Sequence, residues 1–271
     1  MNHQDSTADF KAKLKARIVP VTELTLAHKV RMFELMQKYY DGVSREQFLH
    51  DLMKKDAVIL LYDERQKQIQ GFSTLMKVTV NQQGKIWQGI FSGDTVIEKS
   101  FWGQRALGKA FLGYLFKEKL RNPFVPLYWL LITKGYKTYL MMANNFSQYY
   151  PRFDVEMPAD KKALMDAFYS LLYPNGYDAQ TGLIYPENNG GQLKSGVANI
   201  SPLLMEANPK IAFFQSKNPQ WTHGVELACL ARMTVWMPFQ YALKAFTVDC
   251  LLKPLGKIFG FKKSKVLRSD G

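Results

Sequence analysis

The pattern of apolar and polar positions changes period several times along the chain, and each change predicts an element. Arg17–Val21 is a short run with the apolar bias of a strand. Thr25 then stands where a helix cap is wanted, and Leu26, Val30, Phe33 and Met36 recur at helical spacing on the way to Tyr40. Ser44 opens a second helix, with Phe48, Leu49 and Leu52 on one side and Gln47 at the capping-box position. The period then becomes that of strands. Ala57–Tyr62 is a solid apolar run, Asp63–Lys67 a polar turn, and Gln70–Val80 a second strand that turns back through Asn81–Lys85 around Gly84. Ile86–Ile97 alternates through Ser92, Gly93 and Asp94, which predicts a third strand with a bulge at the glycine. A helix follows over Gln104–Lys119, an apolar strand over Pro126–Thr133, and a helix over Met141–Tyr150 that Pro151 stops.

Past this point the character changes. Asp160–Leu172 is amphipathic, with Leu164, Phe168, Leu171 and Leu172 on one helical face. Pro186–Gly196 is a loop rich in Asn and Gly, and Val225–Phe259 is a long apolar-basic stretch broken by Pro238 and Pro254. The pattern therefore divides the chain in two. Residues 1–155 read strand, two helices, three meandering strands, helix, strand, helix. Residues 156–271 read as a mainly helical extension with a basic, amphipathic end.

Composition narrows the classes. The chain has 271 residues, 47% of them apolar and 22% charged, which describes a folded globular protein. Two cysteines and four histidines are too few for a disulfide framework, a four-cysteine zinc site or a histidine-rich metal centre, so no metal is expected. Cys229 and His223 lie six residues apart, yet Cys229 sits in an apolar run and reads as a packed side chain, not a nucleophile. Lys11, Lys13 and Lys15 interrupt any secretory leader, and no run reaches the roughly 18–20 apolar residues of a spanning helix. The expected location is the cytoplasm, at most peripheral to a membrane. The net charge of +13 either serves solubility alone or points to an anionic partner: a nucleotide cofactor, an acidic carrier protein, an anionic membrane surface or nucleic acid. No nucleic-acid-binding motif accompanies the charge, so nucleic acid is the weakest of these.

The most informative segment is Trp102–Phe111, Trp-Gly-Gln-Arg-Ala-Leu-Gly-Lys-Ala-Phe, between a predicted strand and a predicted helix. A glycine turn opening a helix leaves backbone N–H groups unpaired at the positive end of the helix dipole, which suits an anion. A nucleotide P-loop fits Gly103, Gly108 and Lys109 but fails at Ala110, where the motif needs a hydroxyl for magnesium.

Arg105-Ala-Leu-Gly108-Lys-Ala110 instead resembles the Arg/Gln-x-x-Gly-x-Gly/Ala pyrophosphate loop of the GNAT (Gcn5-related) N-acyltransferase superfamily. The order of elements from Arg17 to Pro151 resembles the same fold, a central mixed α/β sheet flanked by helices. Asn144 or Asn145 followed by Tyr149-Tyr150-Pro-Arg-Phe153 resembles the family's Asn…Tyr…Gly-Phe ending, with Arg152 in place of the glycine. The resemblance covers the first 155 residues.

That resemblance implies an acyltransferase in which an amine attacks the thioester of acyl-CoA, or of an acyl carrier protein, directly. The loop from Gln104 through Arg105, Ala106, Leu107, Gly108 and Lys109 to Ala110 would hold the cofactor pyrophosphate. Val96 and Ile97 would offer backbone groups to the pantetheine arm, and Asn144 or Asn145 would complete that side. Asp94 and Glu98, four residues apart on one strand, are the candidate general bases. Tyr149 and Tyr150 are the candidate acids for the leaving thiolate, since a phenol's pKa lies within about two units of a thiol's. The alternative is a non-catalytic module of the same shape that binds a hydrophobic ligand, a partner or an anionic membrane. Aromatic density between Tyr128 and Tyr173 is mostly core, with a minority available to line an apolar pocket, and Met233–Phe261 has the composition of a surface-lying basic helix.

Overall fold

The computed structural model describes residues 12–82, 84–186, 192–194 and 199–237. Strand β1 (Leu14–Pro20) leads to helix α1 (Leu26–Tyr39), the short strand β2 (Tyr40–Asp41) and helix α2 (Arg45–Met53). Strands β3 (Ala57–Asp63), β4 (Ile69–Gln82) and β5 (Lys85–Ile97) follow as a meander. Then come α3 (Ala106–Arg121), β6 (Leu127–Thr133), α4 (Tyr136–Asn145) and β7 (Tyr149–Tyr150). The later part holds α5 (Ala159–Leu172), β8 (Tyr177–Asp178), β9 (Leu183–Ile184), β10 (Gln192–Leu193), α6 (Pro202–Ala207), α7 (Pro209–Lys217) and β11 (Glu226–Met233).

The helix starts follow from their caps. The Thr25 hydroxyl accepts from the His28 N–H, and His28 Nδ1 accepts from the Thr25 N–H, so a histidine completes the capping box. Ser44 caps α2 by accepting from the Gln47 N–H, but the Gln47 side chain turns away to Asp51 at 2.8 Å, so the expected reciprocal bond is not made. The helix predicted over Met141–Tyr150 starts and ends earlier, at Tyr136 and Asn145. Tyr149 and Tyr150 are instead strand residues, because β11 offers them a ladder partner.

Nine strands form one mixed sheet in the order β1-β3-β4-β5-β6-β11-β9-β8, with β7 also on β11. Among the described strands only β5 and β6 run parallel, as the α3 crossover between them requires. The remaining neighbours are antiparallel. The expected division after residue 155 cuts through this sheet. β11 pairs with β6 from Leu227↔Thr133 to Met233↔Leu127, so residues up to Met233 form one unit with the N-terminal strands. Among the described residues, the part after 155 is more helix than strand, as expected, but its longest strand, β11, completes the sheet. The basic amphipathic end at 251–271, and most of Met233–Phe261, lie outside the described residues. Among the described residues no helix is long and apolar enough to cross a membrane.

Register assigns side chains to two faces. Trp129, Ala231 and Tyr149 stand side by side on one face, where Trp129 packs on Phe111 of α3 and Tyr149 on Tyr139 of α4. Leu130, Leu230, Tyr150 and Phe91 share the other face, packed on Leu164, Met165 and Phe168 of α5. The same face carries Val58, Leu60, Phe72 and Val96 under Met32, Leu35 and Met36 of α1 and Phe48 and Leu52 of α2. The dense aromatics Tyr128, Trp129, Tyr139, Phe168 and Tyr169 are at most 2% exposed and belong to these cores. Cys229 is fully buried there too, and burial pushes its thiol well above the usual range, which leaves no thiolate for chemistry.

Candidate active site

Two features of β5 open the sheet. The first is a bulge: Ser73 pairs with Thr95 and Leu75 with Ser92, so Gly93 and Asp94 together face Thr74 alone. Glycine is required at 93, because a Cβ there would stand 2.7 Å from Thr74 Oγ1. The second is a splay. The parallel register of β5 with β6 stops at Ser92↔Leu131, while β5 continues to Ile97. The segment 93–97 therefore borders an opening between two strands that are paired below it.

The glycine loop sits beyond that opening. Gly103 has φ +85° with nothing within 4 Å of a Cβ built on it, and it turns the chain toward α3. Arg105 is the N-cap, yet no side chain caps the helix, and the first turn holds no acid. The first helical bond here is Lys109 N–H to the Arg105 carbonyl at 3.0 Å, so the N–H groups of Ala106, Leu107 and Gly108 precede it. A Cβ at Gly108 would meet nothing within 4 Å, so this end of the helix is open. Positive charge gathers around it. Lys109 and Ala110 continue the helix, and Lys137 Nζ stands 4.5 Å over the Trp102 ring, its pKa lowered by burial and by nearby Lys99. α3 packs on the face of Trp129, so its N-terminus belongs to that face.

Several expected cofactor residues have other work. Gln104 Oε1 accepts from the Leu14 N–H at 2.9 Å and its Nε2 donates to the Ala12 carbonyl at 2.8 Å, which ties the loop to β1. The Trp102 indole donates to the Ile97 carbonyl at 2.7 Å, and the Val96 side chain is buried in the α1–α2 core. Asn144 accepts from Lys210 at 2.8 Å and Asn145 donates to the Met141 carbonyl at 2.7 Å, both at the end of α4 that meets α7.

The candidate acids and bases separate. Asp94 is half-buried in the bulge, and no other residue's hydrogen bond or ion pair engages its carboxylate among the described residues. Burial pushes its pKa above the ordinary aspartate range. Lys55 and Lys134 pull it back, and Asp51 adds to the rise. Glu98 is different. Its Oε1 accepts from Lys38 Nζ and the Tyr39 hydroxyl, each at 2.7 Å, and from the Lys99 N–H at 3.1 Å. Burial works to raise it, but the Lys38 and Tyr39 bonds outweigh that and hold it below its usual range. The four-residue spacing does not unite the two acids, because the bulge intervenes and Glu98 lies beyond the strand end. The two tyrosines likewise divide. Tyr149 is buried on the α3–α4 face beside Tyr139, its pKa raised by burial, while Tyr150 joins the opposite core.

The structure gathers residues around Asp94 that sequence reasoning missed. Lys134, just after β6, and Glu226, the first residue of β11, make an ion pair of 3.4 Å on the face of Asp94. Burial raises Glu226, Lys134 lowers it and Asp94 raises it again. Lys55 comes from the end of α2, Tyr40 from β2 and Tyr173 from the end of α5, and the last two are raised by burial and by Glu226 and Asp94. All six keep some solvent contact although protein surrounds them, so they line a recess. They come from separate stretches of the chain, and no local spacing signals their meeting.

No protein-family model matches the chain, and no curated protein matches it. Some solved structures align with part of the chain. A probable N-acyltransferase from Enterococcus faecalis aligns at 17% identity and a TM-score of 0.38, over 49% of this chain and 32% of that one. A GNAT family N-acetyltransferase of Escherichia coli, solved with CoA, aligns at 18% identity and a TM-score of 0.33, over 47% and 65%. An acyl-CoA N-acyltransferase of Pseudomonas aeruginosa aligns at 15% identity and a TM-score of 0.35, over 49% and 88%. The chain thus spans a third of the first protein's length and just under two thirds of the second's. Its own topology is a mixed sheet flanked by helices, with an antiparallel meander, a bulged strand, a helix opened by a glycine loop, and a parallel strand that splays from the bulged one.

Proposed function

We propose that this protein is an N-acyltransferase that moves an acyl group from a thioester, of CoA or of an acyl carrier protein, to an amine. The observation that carries the reading is the splay beyond Ser92↔Leu131, with an uncapped cationic helix start on one sheet face and, on the other, an Asp94 whose proton affinity burial raises and whose carboxylate no other described residue engages by a hydrogen bond or ion pair. The first-turn N–H groups of α3, with Arg105 and Lys109, hold the pyrophosphate; the absence of acid and the open space over Gly108 fit an anion there. The thioester supplies an acyl carbon activated for attack. Asp94 accepts the proton from the attacking ammonium, directly or through water, so the carbon–nitrogen bond forms as the carbon–sulfur bond breaks. The thiolate takes a proton from Tyr149, which lies on the α3 face, or from solvent. Asp94 serves this role better than Glu98, whose lone pairs are already committed to three donors.

The test is release of free thiol from acetyl-CoA, a long-chain acyl-CoA and an acyl carrier protein, each offered a panel of amines. Turnover that Asp94→Asn abolishes supports the reading. Thioester binding with no turnover on any amine favours a non-catalytic module, and turnover undiminished in Asp94→Asn removes Asp94 from the mechanism.

A further inference from the structure

The recess around Asp94 holds two opposite charges that do not neutralise each other. The Lys55 ammonium stands 5.0 Å from the centre of the Phe91 ring, and among the described residues it makes no hydrogen bond or ion pair. Among the described residues the Asp94 carboxylate has no partner side chain either, yet each charge senses the other. The second pair in the recess behaves differently, since Lys134 and Glu226 close to 3.4 Å. A half-buried cation and anion held apart are both stripped of water without a contact in return, which is unfavourable unless something fits between them.

Thr74 gives an independent pointer. Its side chain is fully buried and its hydroxyl has no hydrogen-bond partner among the described residues. That hydroxyl and the Lys55 Cε border the same space, at 2.7 and 3.4 Å from where a side chain on Gly93 would begin. The Thr74 hydroxyl and the Lys55 side chain thus meet beside the bulge, with Asp94 the next residue along. The neighbouring walls are aromatic: Phe91 meets Tyr173 edge-on at 6.1 Å, and Tyr40 lies under Lys134.

We propose that the acyl acceptor is a zwitterion of the amino-acid class, its ammonium received by Asp94 and its carboxylate by Lys55. The proposal rests on the acyl-transfer reading of the same site and narrows its acceptor. A simple amine would satisfy Asp94 and leave Lys55 unmatched. A simple carboxylate would do the reverse. Only a ligand with both charges close together completes both groups and leaves the charge of the recess unchanged. The aromatic walls suit an apolar side chain on that ligand.

Isothermal titration of the full chain tests this with the protein amino acids, each beside its decarboxylated amine and its deaminated acid, with no thioester present. At least one amino acid should bind about tenfold or more tighter than both of its truncated forms. Lys55→Met keeps an apolar stem over Phe91. It should weaken the amino acid about tenfold and leave the decarboxylated amine within about twofold. Asp94→Asn should show the mirror pattern toward the deaminated acid. An amine that binds as tightly as its amino acid, or Lys55→Met without effect, overturns the proposal, as does binding by none of the amino acids. Thioester binding is measured separately on the same proteins. Failure there removes the acyl-transfer reading and leaves the zwitterion result standing, whereas thioester binding without amino-acid binding sinks this proposal alone.

Discussion

Asp94 and Glu98 are acids four residues apart on one segment, at opposite ends of what a fold can do with a carboxylate. Glu98 lies past the end of β5, where Lys38 and Tyr39 of α1 and the Lys99 N–H all donate to one oxygen. Its charge is stabilised, and it fastens α1 to the strand end. Asp94 lies in the bulge, stripped of water but given no donor from another side chain, and its proton is correspondingly harder to remove. A carboxylate that is fully served makes a good strut and a poor base. One that is underserved makes a poor strut and a better base. The contrast is why Asp94, and not Glu98, is the base we propose.

The comparison can be broken most decisively by rate. With acyl transfer followed by thiol release, Asp94→Asn should cost about 10²–10⁴-fold, the usual worth of a general base, and Glu98→Gln less than about tenfold. The reverse order would exchange their roles. Next in size is the bulge that aims Asp94. Gly93→Ala places a Cβ 2.7 Å from Thr74 Oγ1 and should cost about 1–3 kcal/mol in urea unfolding. Glu98→Gln should then lose about 1–2 kcal/mol by the same measurement, because charged acceptance from three donors becomes neutral acceptance.

The smallest effect has the most telling sign. Asp94 keeps its proton to higher pH in the folded chain than in the unfolded one, so in that window the native state binds more protons and stability falls as pH rises. Asp94→Asn should therefore melt slightly higher than the wild type at pH 7, with the difference closing below the ordinary aspartate pKa of about 3.9. Glu98 is held low, so its contribution is present above the ordinary glutamate range and fades as pH falls, and the Glu98→Gln penalty should shrink in acid. Calorimetry across pH reads both signs.

Much of the N-terminal order was legible because it is local. The strand periods, the Thr25 and Ser44 caps, the Gly93 bulge and the glycine loop are all encoded within a few residues. What escaped is non-local. β11 enters the sheet beside β6 from almost a hundred residues away in sequence, so a boundary at 155 looked natural and Glu226 looked remote from Asp94. The same pairing converts Tyr149 and Tyr150 from a helix end into a strand and sends them to opposite faces. Gln104 reads as part of an anion loop until β1 arrives to take both ends of its amide.

The central claim is that the open start of α3 holds an acyl thioester, and thermal unfolding with acetyl-CoA, a long-chain acyl-CoA and free CoA tests it most directly. A ligand at 100 times its Kd should add about 2.7 kcal/mol, a shift of a few degrees. Gly108→Glu should abolish that shift without lowering the protein's own melting temperature, since position 108 is open and an acid in a first turn suits the helix dipole. No shift with any of the three, or a shift that survives Gly108→Glu, would contradict the account.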